Sequence, residues 1–466
     1  MGRCVYFAAI SGMVIPVNDQ DSRDLTPDPP EDDNGFRVLV WLTIVAGIAG
    51  AFAGIVGGSF RWLLIRADEW RGDLIDWTHQ HGPVAWLVPV LISSLAALFA
   101  ALITQREPRA AGSGIQHVEA VERGEAAPPT PAVIPARFVG GLLAIGVGGM
   151  VLGREGPTVH MAAAIGALTG RVCRATAREI RVLQTTLSGA GLAVAFNAPV
   201  SGILFCIEEV AKTVKVRYLL WSMSSVAVGI ACSRVIVGNH PDFVVPHTNP
   251  VALTSLPIFV VFGAIVGLLG VAYNWLLRAC LTAFNALGHI PAPLKAAAIG
   301  AVIGILLIVD PDLGGGGDDL TQTALSGEHL ALWSIVVILA IRFLAGGVSY
   351  SAGTPGGLFA PMLALGALSG LLTSRIIDVI TPGYGHQLLL PLMIVGMSSL
   401  FIAVVRAPLT GAVLVMEMTS TTSVAVSVLA AGVATMAVAE LMKSPPIYDD
   451  LRERMLQQER ANGTQA

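Results

Sequence analysis

Apolar residues run in long blocks along this chain, and few polar residues interrupt them. Blocks near 37–65, 83–103, 218–238, 256–277, 331–347, 389–405 and 423–442 each approach the roughly 20 residues an α-helix needs to cross a bilayer. Between them lie shorter apolar pieces punctuated by glycine and proline, at 138–152, 157–170, 183–195, 199–210, 294–309, 357–375 and 408–418. Many of these look too short to cross alone. Interrupted apolar segments predict broken helices, which bring backbone polar groups to a site near the membrane midplane. Such backbone is tolerated there only where protein or water surrounds it.

The blocks repeat. Ala198-Pro199-Val200-Ser201-Gly202 is followed, ten residues after Ala198, by Glu208; Ala407-Pro408-Leu409-Thr410-Gly411 is followed at the same spacing by Glu417. Gly153-Arg154-Glu155-Gly156-Pro157 precedes Gly166-Ala167-Leu168-Thr169-Gly170, and Gly357-Leu358-Phe359-Ala360-Pro361 precedes Gly366-Ala367-Leu368-Ser369-Gly370. Two homologous halves with helix breaks in matching places predict a transporter or channel. The sequence does not say whether the halves are inverted.

Composition sharpens the membrane reading. Of 466 residues, 54% are hydrophobic and 13% charged, with a mean hydropathy of +0.71; soluble domains carry about 25% charge. The 51 glycines suit close helix packing. The net charge of −4 carries little information, and no stretch reads as a nucleic-acid surface. Cys4, Cys173, Cys206, Cys232 and Cys280 are scattered without a CxxC pair. That argues against a metal site or a disulfide framework, and they read as small buried hydrophobes. No cofactor is expected. Met1–Val17 is mildly apolar with only Arg3 as a positive flank, a poor signal peptide. The Asp- and Pro-rich stretch to Gly35 reads as a disordered tail.

Against this apolar background Glu155 is conspicuous, because an ionisable group at membrane depth is costly and by default functional. Three segments share one design, glycines followed by a helix start: Gly112-Ser113-Gly114-Ile115, Gly153 to Pro157, and Gly356-Gly357-Leu358-Phe359-Ala360-Pro361. Proline is favoured at the first helical position. Glycine lets the backbone approach a ligand closely. Helix starts expose free N–H groups and about half a positive charge. Three of them converging would hold an anion without a full cation. Glycine for helix packing is the plainer reading of any one segment, and three on a duplicated scaffold exceed it. Gly314–Gly317 followed by Asp318-Asp319 lacks the Gly-Lys-Ser/Thr ending of a phosphate loop and reads as a flexible loop.

The three segments, together with the late tyrosine Tyr448, resemble the CLC family of chloride channels and chloride/proton antiporters from about residue 36 to Tyr448. The resemblance implies an all-α polytopic membrane protein, a CLC-type inverted repeat of tilted, broken and re-entrant helices. It also implies a homodimer in membrane lipid with one pathway per subunit and both termini cytoplasmic. Residues 36–448 would form the transmembrane domain, in repeats of about 36–250 and 251–448. The polar stretch 449–466 would be a short cytoplasmic tail, without the nucleotide-binding regulatory domains of larger members. Residue by residue, Ser113 and Tyr448 match the hydroxyls that contact the central chloride. Leu358 and Phe359 match the pair whose N–H groups complete that site. Glu155 matches the gating glutamate, which occupies the outer anion position and swings out when protonated. Serine at position 113 goes with chloride preference in the family, and proline with nitrate. The flanking Gly112, Gly114, Ile115, Gly153, Arg154, Gly156, Pro157, Gly357 and Pro361 match its helix starts.

This chain departs from the family at Gln116, where a proline usually follows the isoleucine. The next residue, His117, reads as structural, although a histidine there could tune the pH response. Glu209 matches the internal proton glutamate of many antiporters; channels of the family usually carry a non-acidic residue there. Its alternative is a cap or ion pair near Lys212, Lys215 and Arg217. Glu208, Glu417, Arg342 and Arg406 read as structural. Arg154 either holds the helix start or raises the local positive potential.

The expectation is therefore a secondary active transporter exchanging chloride for protons, of prokaryotic type, in a bacterial inner membrane. The alternative is a passive voltage- or pH-gated chloride channel on the same scaffold. An intramembrane enzyme using Glu155 and His160 lacks a nucleophile or metal cluster beside them. A fluoride exporter fits poorly with Ser113 and an intact Gly-Arg-Glu-Gly-Pro.

Overall fold

A computed structural model describes residues 33–246, 251–327 and 330–463. The tail expected over 1–35 lies outside the described residues up to position 32, and 33–35 already belong to the first helix. Residues from Leu42 onward form one compact unit. The described part of the preceding stretch is the amino-terminal end of that helix.

The first half of the chain contains α1 (Asp33–Gln80), α2 (Leu87–Arg106), α3 (Ile115–Glu122), α4 (Val133–Gly141), α5 (Glu155–Val172), α6 (Ala177–Phe196), α7 (Pro199–Phe205) and α8 (Val216–Val237). The second half contains α9 (Leu256–Ala286), α10 (Ala292–Val309), α11 (Asp318–Leu325), α12 (Leu332–Ser351), α13 (Phe359–Ile380), α14 (Tyr384–Val405), α15 (Pro408–Met418) and α16 (Ala425–Leu441). A last helix, α17 (Ile447–Gly463), follows. Short π-helical turns extend α4 over Leu142–Val147 and α7 over Cys206–Val210. Among the described residues, eight helices are long and apolar enough to cross a membrane. Two pieces counted as short in the sequence, 294–309 and 357–375, fall in α10 and α13, helices of 18 and 22 residues.

The two halves follow the same element order. The eight-residue α3 and α11 correspond, as do α5 and α13, α6 and α14, and α7 and α15. Their breaks have the same chemistry. α6 ends at Asn197 (φ 50°) and α14 at Arg406 (φ 72°), both left-handed; Pro199 and Pro408 then open the next helices. Asparagine tolerates that conformation. Arginine does not favour it, and Arg406 is held there by Glu440 at 3.0 Å and the Ser444 carbonyl at 2.8 Å. Glu208, one turn beyond α7, accepts from the N–H groups of Leu409 (2.9 Å) and Thr410 (2.6 Å) at the start of α15. Glu417, at the end of α15, accepts from Val200 (2.9 Å) and Ser201 (2.8 Å) at the start of α7. Helices that cap each other's starts from their own ends run antiparallel, so the halves are inverted.

Small residues let the long helices touch. A Cβ on Gly366 of α13 would overlap the carbonyl of Gly396 on α14, and one on Gly396 would overlap that of Gly366. α14 is the most enclosed of these helices, with 94% of an 18-residue stretch buried.

The Gly314–Gly317 segment is not a free loop. Gly317 (φ 95°) precedes α11, and the buried Arg342 on α12 donates to the carbonyls of Asp312 (2.6 Å), Gly314 (2.7 Å) and Gly315 (3.0 Å). This matches the Gly112–Gly114 loop before α3, which packs around the buried Arg137 of α4. A glycine run in an otherwise apolar sequence carried no sign of the arginine that orders it.

Candidate functional site

The three glycine segments are stitched together by backbone. Gly153 and Gly357 exchange hydrogen bonds, N–H to carbonyl, at 2.9 and 2.7 Å. Gly112 N–H donates to the Thr354 carbonyl, and Gly356 N–H to that of Gly112, both at 3.2 Å. The starts of α3, α5 and α13 are thereby held together, with their unpaired N–H groups and positive dipole ends in one region. Pro157 and Pro361 stand third in their helices, not first. The missing N–H is equally harmless there, because no N–H of the first turn has an intrahelical partner.

Glu155 opens α5 and is fully buried. Its Oε1 accepts from the Phe359 N–H at the start of α13, at 2.7 Å. The carboxylate lies against Gly153 and Gly357, and a Cβ on either would overlap it. Ser113 packs on the same helix start: a Cβ on Gly156 would stand 2.7 Å from its Oγ. The Tyr448 ring lies edge-on to the Phe359 ring, centroids 5.8 Å apart. Phe196, Phe205 and Phe401 surround Phe359 on its other sides. The hydroxyls of Ser113 and Tyr448 and the Oε2 of Glu155 are buried without a well-formed hydrogen bond. Leaving such groups unsatisfied costs roughly 1–3 kcal/mol each, so they mark a place built for a polar ligand. Converging donors of this kind, backbone N–H and hydroxyl, suit an anion.

Leu358 and Phe359 are both fully buried at the start of α13. Arg154 borders this cluster, with its guanidinium carbon 6.0 Å from the centre of the Phe196 ring. Its Nη2 pairs with Asp242 at 3.0 Å, its Nη1 with Asp318 at 3.2 Å, and its Nε donates to the Ala195 carbonyl at 3.0 Å. Asp242 also pairs with Arg61. Arg154 thus pairs with two acids, of which Asp242 is shared with Arg61 and carried no mark in the sequence.

Glu209 sits on a different element from Glu155. The π-turn over Cys206–Val210 separates the two adjacent acids: Glu208 reaches across to cap α15, while Glu209 is buried with Oε1 unpartnered. Its side chain faces Glu119, an acid the sequence reading missed. Glu119 is fully buried, and neither of its oxygens has a hydrogen bond. Its signal was available: it follows Val118 and precedes Ala120 and Val121, all buried on the short helix that begins beside Ser113. Tyr448 stands within electrostatic reach of both Glu155 and Glu209. Among the described residues no three His, Cys, Asp or Glu side chains cluster as metal ligands.

Two inverted halves of membrane-length helices around a buried acid and unpaired donors define an integral membrane carrier of ions. The model of the voltage-gated chloride channel family matches residues 95–440, and the chain belongs to that family, the CLC proteins. It is 35% identical over 459 residues to a protein of Vibrio parahaemolyticus named H(+)/Cl(-) exchange transporter ClcA, covering 95% of this chain and 93% of that one. A protein of the same name from Salmonella arizonae is 32% identical, with 89% of each chain covered. Among solved structures, a slow cyanobacterial Cl−/H+ antiporter superposes with a TM-score of 0.84 at 30% identity, covering 90% of this chain and 99% of that one. A CLC-type fluoride/proton antiporter, at 17% identity and a TM-score of 0.73, shares the fold.

Proposed function

We propose that this protein is a secondary active transporter that exchanges chloride for protons. The observation that carries the reading is the Glu155 carboxylate bonded to the Phe359 N–H, beside the buried unpaired hydroxyls of Ser113 and Tyr448. A carboxylate that already occupies backbone donors competes with any anion seeking them. Once protonated it loses its charge and its claim on them, and it leaves carrying the proton. Chloride then binds to Ser113, Tyr448 and the N–H groups at Leu358 and Phe359. The helix starts at Gly112–Ile115, Gly153–Pro157 and Gly357–Pro361 supply the field without a cation that would hold the ion too tightly.

Glu209 loads and unloads the proton from the other side, with Glu119 as its neighbour. A pair of adjacent buried carboxyls is suited to holding a proton, since ionising both would place like charges together away from water. This second acidic locus favours exchange over passive conduction. The ClcA names of the relatives and the antiporter superposition support the same reading. By the same family logic the transport domain is 36–448, in a homodimer with one pathway per subunit. It would lie in a bacterial inner membrane with both termini cytoplasmic.

The test is paired recording of chloride and proton movement in liposomes containing the purified protein. Exchange gives the two fluxes in opposite directions and in fixed ratio. Chloride flux with no proton movement would make this a channel.

A further inference from the structure

Arg137 of α4 is fully buried, and no carboxylate pairs with it among the described residues. Its N–H groups go elsewhere. Nη1 donates to the carbonyls of Gly112 (2.8 Å) and Ser113 (2.9 Å), and Nη2 to those of Arg109 and Ala111, both at 3.1 Å. Nε donates to Nδ1 of His160 at 2.6 Å. A guanidinium has donors only, so His160 Nδ1 must accept and bear no proton. The His160 proton is then on Nε2, which contacts Nδ1 of His117 at 2.8 Å and can only donate to it. His117 in turn carries its proton on Nε2. The chain Arg137 to His160 to His117 has one direction, and both imidazoles are neutral.

Every partner of this cation is therefore an uncharged acceptor, and its charge is not cancelled. It lies directly beneath the loop that carries Ser113: a Cβ on Gly114 (φ 83°) would overlap Nη2 and stand 2.6 Å from His160 Nδ1. The second half has the same arginine-under-glycine arrangement at Arg342 and Gly317, but there Nε has no partner. Arg342 also lies near the acids Asp312 and Asp318, whereas the copy under Ser113 has the histidine pair and, among the described residues, no acid.

We propose that His160, backed by His117, is a positioning residue for the anion site: it locks Arg137 beneath the Ser113 loop with its charge unopposed, so that a fixed cation strengthens anion binding without touching the ion. This rests on reading Ser113 and Tyr448 as the anion site. A neutral acceptor is required at position 160. A carboxylate would fit the same hydrogen bond and annul the field.

Calorimetric titration of the purified protein with chloride tests this. His160→Gln keeps the polarity, its amide oxygen accepting from Arg137 and its amide nitrogen donating to His117; binding is expected within about threefold of wild type. His160→Glu is expected to weaken chloride binding by about tenfold or more, with elution and thermal midpoint retained. A merely structural role tolerates either acceptor, so equal binding by the Gln and Glu variants overturns the proposal, as does a Gln variant as weak as Glu. If His160→Glu fails to fold, Arg137→Gln is expected to show the same loss, and binding there within threefold of wild type overturns the proposal. Wild-type chloride binding that does not respond to Ser113→Ala with Tyr448→Phe would refute the site reading itself, and the inference with it.

Discussion

Glu208 and Glu417 cap each other's helices. Glu208 Oε2 accepts from the Thr410 N–H and hydroxyl, both at 2.6 Å; Glu417 Oε2 accepts from the Ser201 N–H at 2.8 Å and hydroxyl at 2.6 Å. Each anion also meets the positive end of the other helix, the favourable sense of the helix dipole. Replacing either by alanine removes charge-assisted bonds and orphans two N–H groups. The expected cost is about 1–2 kcal/mol each, read as a lowered thermal midpoint in detergent and similar for the two variants. Unchanged stability in both would contradict the capping role.

Gly153 and Gly357 leave room for the Glu155 carboxylate. An added methyl at either position meets the Glu155 carboxylate first, and at Gly357 it also stands 2.8 Å from the backbone nitrogen of Gly156, so the carboxylate should be displaced in both variants, with some loss of stability in Gly357→Ala. Gly153→Ala and Gly357→Ala are expected to resemble Glu155→Ala: anion flux persists while proton coupling drops. Wild-type coupling in both variants would mean that Glu155 does not work from this position.

Ser113 and Tyr448 spend their hydroxyls on no well-formed bond within the protein. Ser113→Ala and Tyr448→Phe should therefore leave stability unchanged. Each removes one donor to the anion, worth on the order of 1 kcal/mol, or about fivefold in affinity. Chloride titration reads the affinity and thermal unfolding the stability. A large stability loss without an affinity change would assign the hydroxyls to structure.

Glu209→Gln removes a titrating group while keeping shape and most hydrogen-bonding capacity. Chloride flux is expected to continue and proton flux to fall at least about tenfold. Glu119→Gln leaves the proposed carrier Glu209 in place and is expected to give a smaller loss. The reverse ranking would make Glu119 the principal internal acid.

Much of this arrangement was legible in the residues. The repeated Ala-Pro breaks announced two halves, and the spacing to Glu208 and Glu417 marked a matched pair of acids. Apolar surroundings made Glu155 conspicuous before any contact was known. Long-range partnership was not legible. Nothing near Gly314–Gly317 pointed to Arg342, some 25 residues away, and nothing near His160 pointed to Arg137 on another helix. Periodicity reports which face is apolar, not which distant side chain fills a glycine loop. The reciprocal caps also fixed the inversion of the halves, which repeat order alone left open. Glu119 is a different kind of miss: its apolar neighbours were visible, but the motif beside it drew the reading to Ser113.

The most direct measurement is proton movement driven by a chloride gradient alone. Liposomes containing the purified protein would be loaded with chloride, with the membrane voltage clamped by potassium and valinomycin. Protons are expected to move uphill as chloride runs down, and this movement to vanish in Glu155→Ala and in Glu209→Gln while chloride still flows. Chloride running down with no proton movement in the wild type would contradict exchange, leaving a passive anion pathway on the same scaffold.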